Sequence, residues 1–290
     1  MFSRRLVFRF IFVFALIGGC APLRIEAASG CVWKVSGPNG GTLFLGGSIH
    51  ALRSTDYPLP SGYSRAFDAA NRLAFEVDDK ALAESSKGLS KAGEYPRGDS
   101  LKNHVDPRTY NYLRRLFGLM GVSEEKFLKF RPWYLALLLE SPSLYGRSEE
   151  LGVEEFLMRR ARANSKPMSG LESVREHMSI FSGLTDRQSE AYLLLLFIPA
   201  GEDANGARMM EAWRHGDADK IARGFHESFK DFPSLAERLL GVRNRNWIPK
   251  IEGYLRSGQT YFVIAGAAHM GGPDGVLSLL RTRGCKIEPL

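Results

Sequence analysis

The chain has 290 residues, 44% of them hydrophobic and 24% charged, with a formal net charge of +7. That is an ordinary globular balance, with length enough for a sizeable core. Much of the charge lies in the first 29 residues: 35 basic and 31 acidic residues remain without them. No basic stripe interleaved with aromatics appears, which argues against a nucleic-acid partner.

The N-terminus reads as a leader. Arg4 and Arg5 precede the apolar run Phe10–Ile17, followed by Gly18-Gly19-Cys20. A charged start, a short apolar stretch and a small-residue cleavage zone form a secretory signal. The run is short for a bilayer span. Ile17-Gly18-Gly19-Cys20 fits a bacterial lipobox, in which a lipidated Cys20 attaches the chain to a membrane; cleavage near Ala27-Ala28 fits as well. Either way residues 1–29 are expected to be removed on export, leaving residues 30–290 as one domain in the periplasm or as an envelope-anchored lipoprotein. Cys31 and Cys285 are then an even pair, which in an exported domain suggests a disulfide joining the first strand to the last.

In chain order, Cys31–Val35 and Thr42–Leu45 read as strands joined by the turn-rich Gly37-Pro38-Asn39-Gly40-Gly41. A helix around Ser64–Asn71 leads to the strand Arg72–Val77. Residues 79–99 are polar and read as a loop or weak helix. Asp106-Pro107 is an N-cap with proline at N1, opening a helix to about Leu119. Ser123–Phe130, Pro132–Glu140 and Glu149–Ala163 continue the helical pattern before the short strand Lys166–Leu171. Thr185 and Gln188 form a capping box ahead of Ala191–Ile198, an apolar run too short to span a bilayer. Helices over Gly206–Arg214, Ala218–Phe229, Ser234–Leu240 and Asn246–Ser257 lead into the strand Gln259–Ala265. Gly271-Gly272-Pro273-Asp274-Gly275 opens a last helix to Arg283, and Cys285–Glu288 is a final strand. The order predicts an α/β fold: a mixed central sheet built from the N- and C-terminal segments, with a long helical insertion as a lid.

Two short motifs carry the chemistry. Gly47-Ser48-Ile49-His50 and Gly266-Ala267-Ala268-His269 are both Gly-x-x-His, each after a β-like apolar run. A strand ending in glycine lets the backbone turn sharply, and the residues that follow can aim an imidazole into a cleft at the strand's C-terminal end. Glu76 stands inside the apolar strand Leu73-Ala74-Phe75-Glu76-Val77, and Glu172 falls near another strand end. A buried carboxylate needs a partner, a metal or a proton. Two histidines with one or two glutamates suit a divalent ion holding a water for hydrolysis. Arg243-Asn244-Arg245-Asn246-Trp247 is a second polar cluster, in which Arg243 and Asn244 could orient carboxylates or bind an oxyanion; a solvated helix start is the plain alternative. His104, His177, His215 and His226 share no spacing and read as surface or supporting residues. There is no His-Glu-x-x-His, no Gly-x-Ser-x-Gly, no Walker A loop and no Cys-x-x-Cys.

From Cys31 to Leu290 these residues resemble the TraB/PrgY/GumN family, which includes the Tiki metalloproteases. The resemblance rests on the paired Gly-x-x-His motifs, Phe75-Glu76, Gly170-Leu171-Glu172, Arg243-Asn244 and the terminal strand–Gly-x-x-His–Gly-Gly–helix–strand block. It implies a fold similar to the erythromycin-esterase and ChaN proteins, and a site containing His50, Glu76 and His269 with Glu172 and Arg243 nearby. Gly152-Val153-Glu154 departs from the Gly-hydrophobic-Asp of many relatives, so no role is carried over to Glu154.

The leading expectation is a metal-dependent hydrolase, a peptidase of the bacterial envelope. His50, Glu76 and His269 bind a divalent ion, with Glu76 as ligand or base; Glu172 orients a histidine, and Arg243 with Asn244 holds substrate or oxyanion. A metal-independent, esterase-like hydrolase and a non-catalytic protein binding a peptide or small ligand are the alternatives. The partner is a peptide or small-molecule substrate in each case.

Overall fold

A computed structural model describes residues 29–78, 88, 90–139, 152–197 and 206–290. The leader with Cys20 and both cleavage sites lies outside the described residues, as do 79–87 and 89 of the polar stretch, residues 149–151, and the predicted helix ends at Glu140 and Ile198.

The hairpin expected at the start forms. β1 (Val32–Ser36) and β2 (Thr42–Ser48) pair antiparallel, from Val32 opposite Gly46 to Ser36 opposite Thr42. Three further strands, β3 (Arg72–Val77), β4 (Met168–Glu172) and β5 (Tyr261–Gly266), run parallel to β2, and β6 (Lys286–Pro289) closes the far edge antiparallel to β1. The order across the six-stranded mixed sheet is β4-β3-β5-β2-β1-β6. The strand built from the chain's end therefore sits in the middle, between two strands from its beginning. Leu43–Leu45, Leu73–Phe75 and Phe262–Ala265 are buried along their whole length, as parallel strands covered on both faces require.

Helices surround this sheet: α1 (Ser61–Ala69), α2 (Pro107–Leu119), α3 (Glu124–Leu128), α4 (Pro132–Leu139), α5 (Val153–Ala163), α6 (Val174–Ser182), α7 (Asp186–Leu195), α8 (Gly206–His215), α9 (Ala218–Ser228), α10 (Pro233–Ala236), α11 (Val242–Arg256) and α12 (Val276–Thr282). Local chemistry sets their ends. Asp106 accepts the Arg108 N–H at 2.8 Å with Pro107 at N1, and Thr185 with Gln188 makes the reciprocal capping box. A second box, Ser173 with Glu176, starts α6, which the sequence reading leaves unbounded within the helical block. α11 begins at Val242, earlier than the expected Asn246, because the π-turn Glu237–Gly241 carries the helix on from α10 instead of breaking it.

Two apolar clusters form. One lies against the sheet and includes Phe67, Leu73, Trp213, Trp247 and Phe262; the other joins Leu101, Leu113, Phe127, Trp133 and Leu193 among the inserted helices. Among the described residues, no helix is long and apolar enough to cross a membrane.

The expected disulfide is not made: Cys31 and Cys285 are both buried and free. The β1–β6 ladder, with Trp33 opposite Pro289 and Ser36 opposite Lys286, puts the two thiols at opposite ends of the pair. At about 3.4 Å per residue that separates them by roughly 20 Å, far beyond bonding range.

A charged clasp ties the helical cluster together. His104 Nε2 lies 2.7 Å from Asp99 and Nδ1 lies 2.8 Å from Asp186, with the ring stacked on Tyr95. Both acceptors are carboxylates, so both nitrogens donate and the ring is an imidazolium. The Asp186 bond is the chief cause of its raised pKa. A raised folded-state pKa contributes stability that is complete below the unfolded value near ~6.5 and lost as pH rises through the folded one. The melting temperature is thus expected to fall over that window, and His104→Gln to remove the slope; an unchanged slope in the variant would show that the clasp is not its source.

Candidate functional site

The two Gly-x-x-His segments leave the same edge of the sheet side by side. β2 and β5 pair in parallel with Gly47 opposite Ala265 and Ser48 opposite Gly266, so each imidazole follows from an adjacent strand end. Glycine is required where they meet: a Cβ on Gly47 would lie 3.0 Å from Ala267 Cα and from Cys31 Cβ. The Gly47 carbonyl accepts from Tyr63 Oη and, at 2.8 Å, from Trp213 Nε1, which fixes the end of β2.

His269 closes the 3-10 turn Ala267–His269 and is buried. Its Nδ1 is 2.6 Å from Asn244 Oδ1, and Asn244 Nδ2 donates to the Asp274 carbonyl at 2.9 Å. That second bond sets the amide's orientation, so the imidazole donates from Nδ1 and keeps its lone pair on Nε2. Burial, reinforced by Arg243, lowers its pKa to about 3, so the ring is neutral at ordinary pH. Nε2 accepts from Arg243 Nη1 at 3.0 Å and lies 3.8 Å from Glu76 Oε1.

Glu76 is buried on β3. Oε1 accepts the Gly266 N–H at 2.7 Å and Oε2 accepts Arg243 Nη2 at 2.5 Å. Burial alone would raise its pKa; the Arg243 charge outweighs that and holds it below the usual carboxylate range. Glu172 ends β4 and takes the Arg243 fork, Nη2 at 2.7 Å and Nε at 3.2 Å. It also accepts Trp247 Nε1 at 3.1 Å and faces His177 Nδ1 at 2.7 Å. Burial opposes ionisation there too, and the His177 and Arg243 hydrogen bonds overcome it.

α11 supplies Arg243, Asn244 and Trp247. Arg243 and Trp247 are four residues apart on one helix face, and the guanidinium stacks over the indole at 4.7 Å. Arg243 Nη1 also donates to the Leu239 carbonyl of the π-turn at 3.3 Å. Arg243, Asn244 and Trp247 therefore form an inward helix face, while Arg245 and Asn246 of the same cluster are exposed.

His50 stands apart. Its side chain is 68% exposed, and Nδ1 is 2.8 Å from Glu154, whose other oxygen accepts the Ser48 hydroxyl at 3.1 Å. The Glu154 carboxylate raises its pKa, an effect that solvent screens. Glu154 lies in the first turn of α5, where the helix dipole favours an acid, and Val153 N–H bonds Ile49 O at 3.0 Å to lock that turn to the end of β2.

Exposed as it is, His50 approaches Gly266 together with Glu76 and His269. A Cβ built on Gly266 would lie 3.4 Å from Glu76 Oε1, 3.6 Å from His269 Cδ2 and 4.0 Å from His50 Nε2, so the missing side chain leaves a cradle among all three. Each histidine has Nδ1 engaged, by Glu154 or Asn244, as metal-ligating imidazoles do. Imidazole nitrogens and a carboxylate are donors of the kind a divalent ion takes. Among the described residues, the group of three whose ligand atoms lie within 4.8 Å of one another is Glu76, Glu172 and His177; those of His50, Glu76 and His269 are spread more widely. Glu154 and His177 are the participants that sequence reasoning missed. Position after a capping serine was the available signal for His177; Glu154 follows directly from the Gly152-Val153 pair.

A mixed α/β sheet with two imidazoles and two buried carboxylates at the C-terminal rim of its parallel strands defines the class of protein. The sequence pattern of the TraB/PrgY/gumN family matches residues 31–289, and the chain belongs to that family. It is similar to an uncharacterized protein of Treponema pallidum (strain Nichols), at 24% identity over 93% of this chain and 85% of the relative. It is equally similar to the uncharacterized protein YbaP of Escherichia coli (strain K12) and of Shigella flexneri, at 24% identity over 81% of this chain and 86% of each relative. No solved structure matches it significantly.

Proposed function

We propose that the chain is a metal-dependent hydrolase acting on peptide bonds, exported to the cell envelope as its leader implies. The convergence of His50 Nε2, Glu76 Oε1 and His269 on the cradle at Gly266 carries this reading. A divalent ion held there would supply a water of lowered pKa as nucleophile. Glu154 and Asn244 orient the two imidazoles. Arg243 holds Glu76 by Oε2 and leaves Oε1 toward the cradle. All the guanidinium's donors are taken, by Glu76, Glu172, His269 and the Leu239 carbonyl, so it positions these groups. Since an imidazole nitrogen has one lone pair, His269 would have to give up the Arg243 Nη1 contact to hold an ion.

That same 3.0 Å contact favours a second reading, in which Arg243 is the site's permanent cation and His50, oriented by Glu154, is the base of a metal-free hydrolase. Metal content of the purified protein, measured beside cleavage of a peptide library, separates the two. About one ion per chain, lost in both His50→Ala and His269→Ala together with cleavage, is the expected result. Cleavage without metal favours the second reading, and binding of peptides without turnover overturns both.

A further inference from the structure

Glu76, Glu172 and His177 bring two carboxylates and an imidazole within 4.8 Å, a donor set suited to a second cation beside the Gly266 cradle. A cation is already there. Arg243 reaches Glu172 with Nε and Nη2 at 3.2 and 2.7 Å and Glu76 with Nη2 at 2.5 Å. Its planar fork meets both carboxylates at once, as a single metal ion would. The guanidinium is fixed from every side, by the Trp247 ring beneath it, the Leu239 carbonyl and His269.

We infer that Arg243 fills the seat of a second metal ion, so that Glu76 is shared between a built-in cation on Oε2 and an exchangeable divalent ion on Oε1. The seat is made by β3, β4, α6 and α11, and the cradle by β2, β3 and β5, with Glu76 the residue common to both. The inference rests on the metal reading above only for the role of Oε1. The guanidinium acts as a positioning group: it bridges both carboxylates, fixes their directions and limits the centre to one exchangeable ion.

Removing the guanidinium should expose the seat. Wild type, Arg243→Met, Arg243→Met/His177→Ala and Arg243→Met/His50→Ala are dialysed against Mn²⁺ or Zn²⁺ and assayed for metal per chain. Methionine keeps the apolar stem over Trp247. The expected result is one additional ion in Arg243→Met relative to wild type, abolished by His177→Ala and kept with His50→Ala. No additional ion, or one abolished by His50→Ala and indifferent to His177→Ala, overturns the inference. The comparison is a difference from wild type, so it decides the matter whether wild type holds one ion or none. Arg243→Lys, which keeps a charge in the seat, should gain none. If Arg243→Met is poorly folded in chelator, circular dichroism with added Mn²⁺ gives the same decision: recovery that requires His177 supports the seat, and no recovery overturns it.

Discussion

Arg243→Met in metal-free buffer is expected to lower unfolding stability by about 3–5 kcal/mol, the usual cost of stripping one partner from a buried ion pair. The urea midpoint should fall without a change in slope. The arginine makes contacts with Glu76, Glu172, His269 and Leu239, and its loss leaves the two carboxylates without the guanidinium that bridges them. Both carboxylates would then protonate or draw in water. Adding Glu76→Gln and Glu172→Gln should return part of the loss, because those residues couple to the arginine directly and their effects are not additive with its removal. A fall below about 1 kcal/mol, the range of an exposed pair, would show that solvent already shares this cluster.

Gly266→Ala is expected to do the opposite: fold normally and lose the metal. Gly266 has φ −49° and ψ 136°, which alanine adopts without strain, so stability should hold or rise by about 0.4–1 kcal/mol. The new methyl would meet nothing closer than 3.4 Å, yet it would sit beside Glu76 Oε1, His50 Nε2 and the edge of the His269 ring. A bound ion lies about 2.0–2.2 Å from such ligands, so methyl and ion compete for one volume. Metal content near zero at an unchanged melting temperature is the outcome sought. Full metal content in Gly266→Ala would move the ion elsewhere.

The strands were legible because their signal is strong and local. Arg72–Val77 is an uninterrupted apolar run around one carboxylate, and the glycines after Leu45 and Ala265 mark where chains turn at a sheet edge. His50, Glu76, Glu172, Arg243, Asn244 and His269 are all brought to that rim or into contact with it, as their positions near strand ends and their resemblance to the family implied. What sequence could not show was partnership. The sequence offers Arg243 as a group that could orient carboxylates, with a solvated helix start as the alternative; that it lies between Glu76 and Glu172 depends on a π-turn, whose extra residue leaves no periodic trace. His177 reaches Glu172 only because a capping box turns the chain at once into α6. The cysteine pair failed for the converse reason: an even count says nothing about ladder register, and register decides the distance.

The sheet order has a consequence for how the protein comes into being. β5 lies between β2 and β3, yet it is synthesised about 210 residues after the one and about 180 after the other. Until β5 has been made, those two strands have no shared neighbour and His50 and Glu76 have no common rim. A chain stopped before Arg243 lacks Arg243, Asn244, Gly266 and His269 together, so the cluster cannot assemble however well the earlier strands collapse.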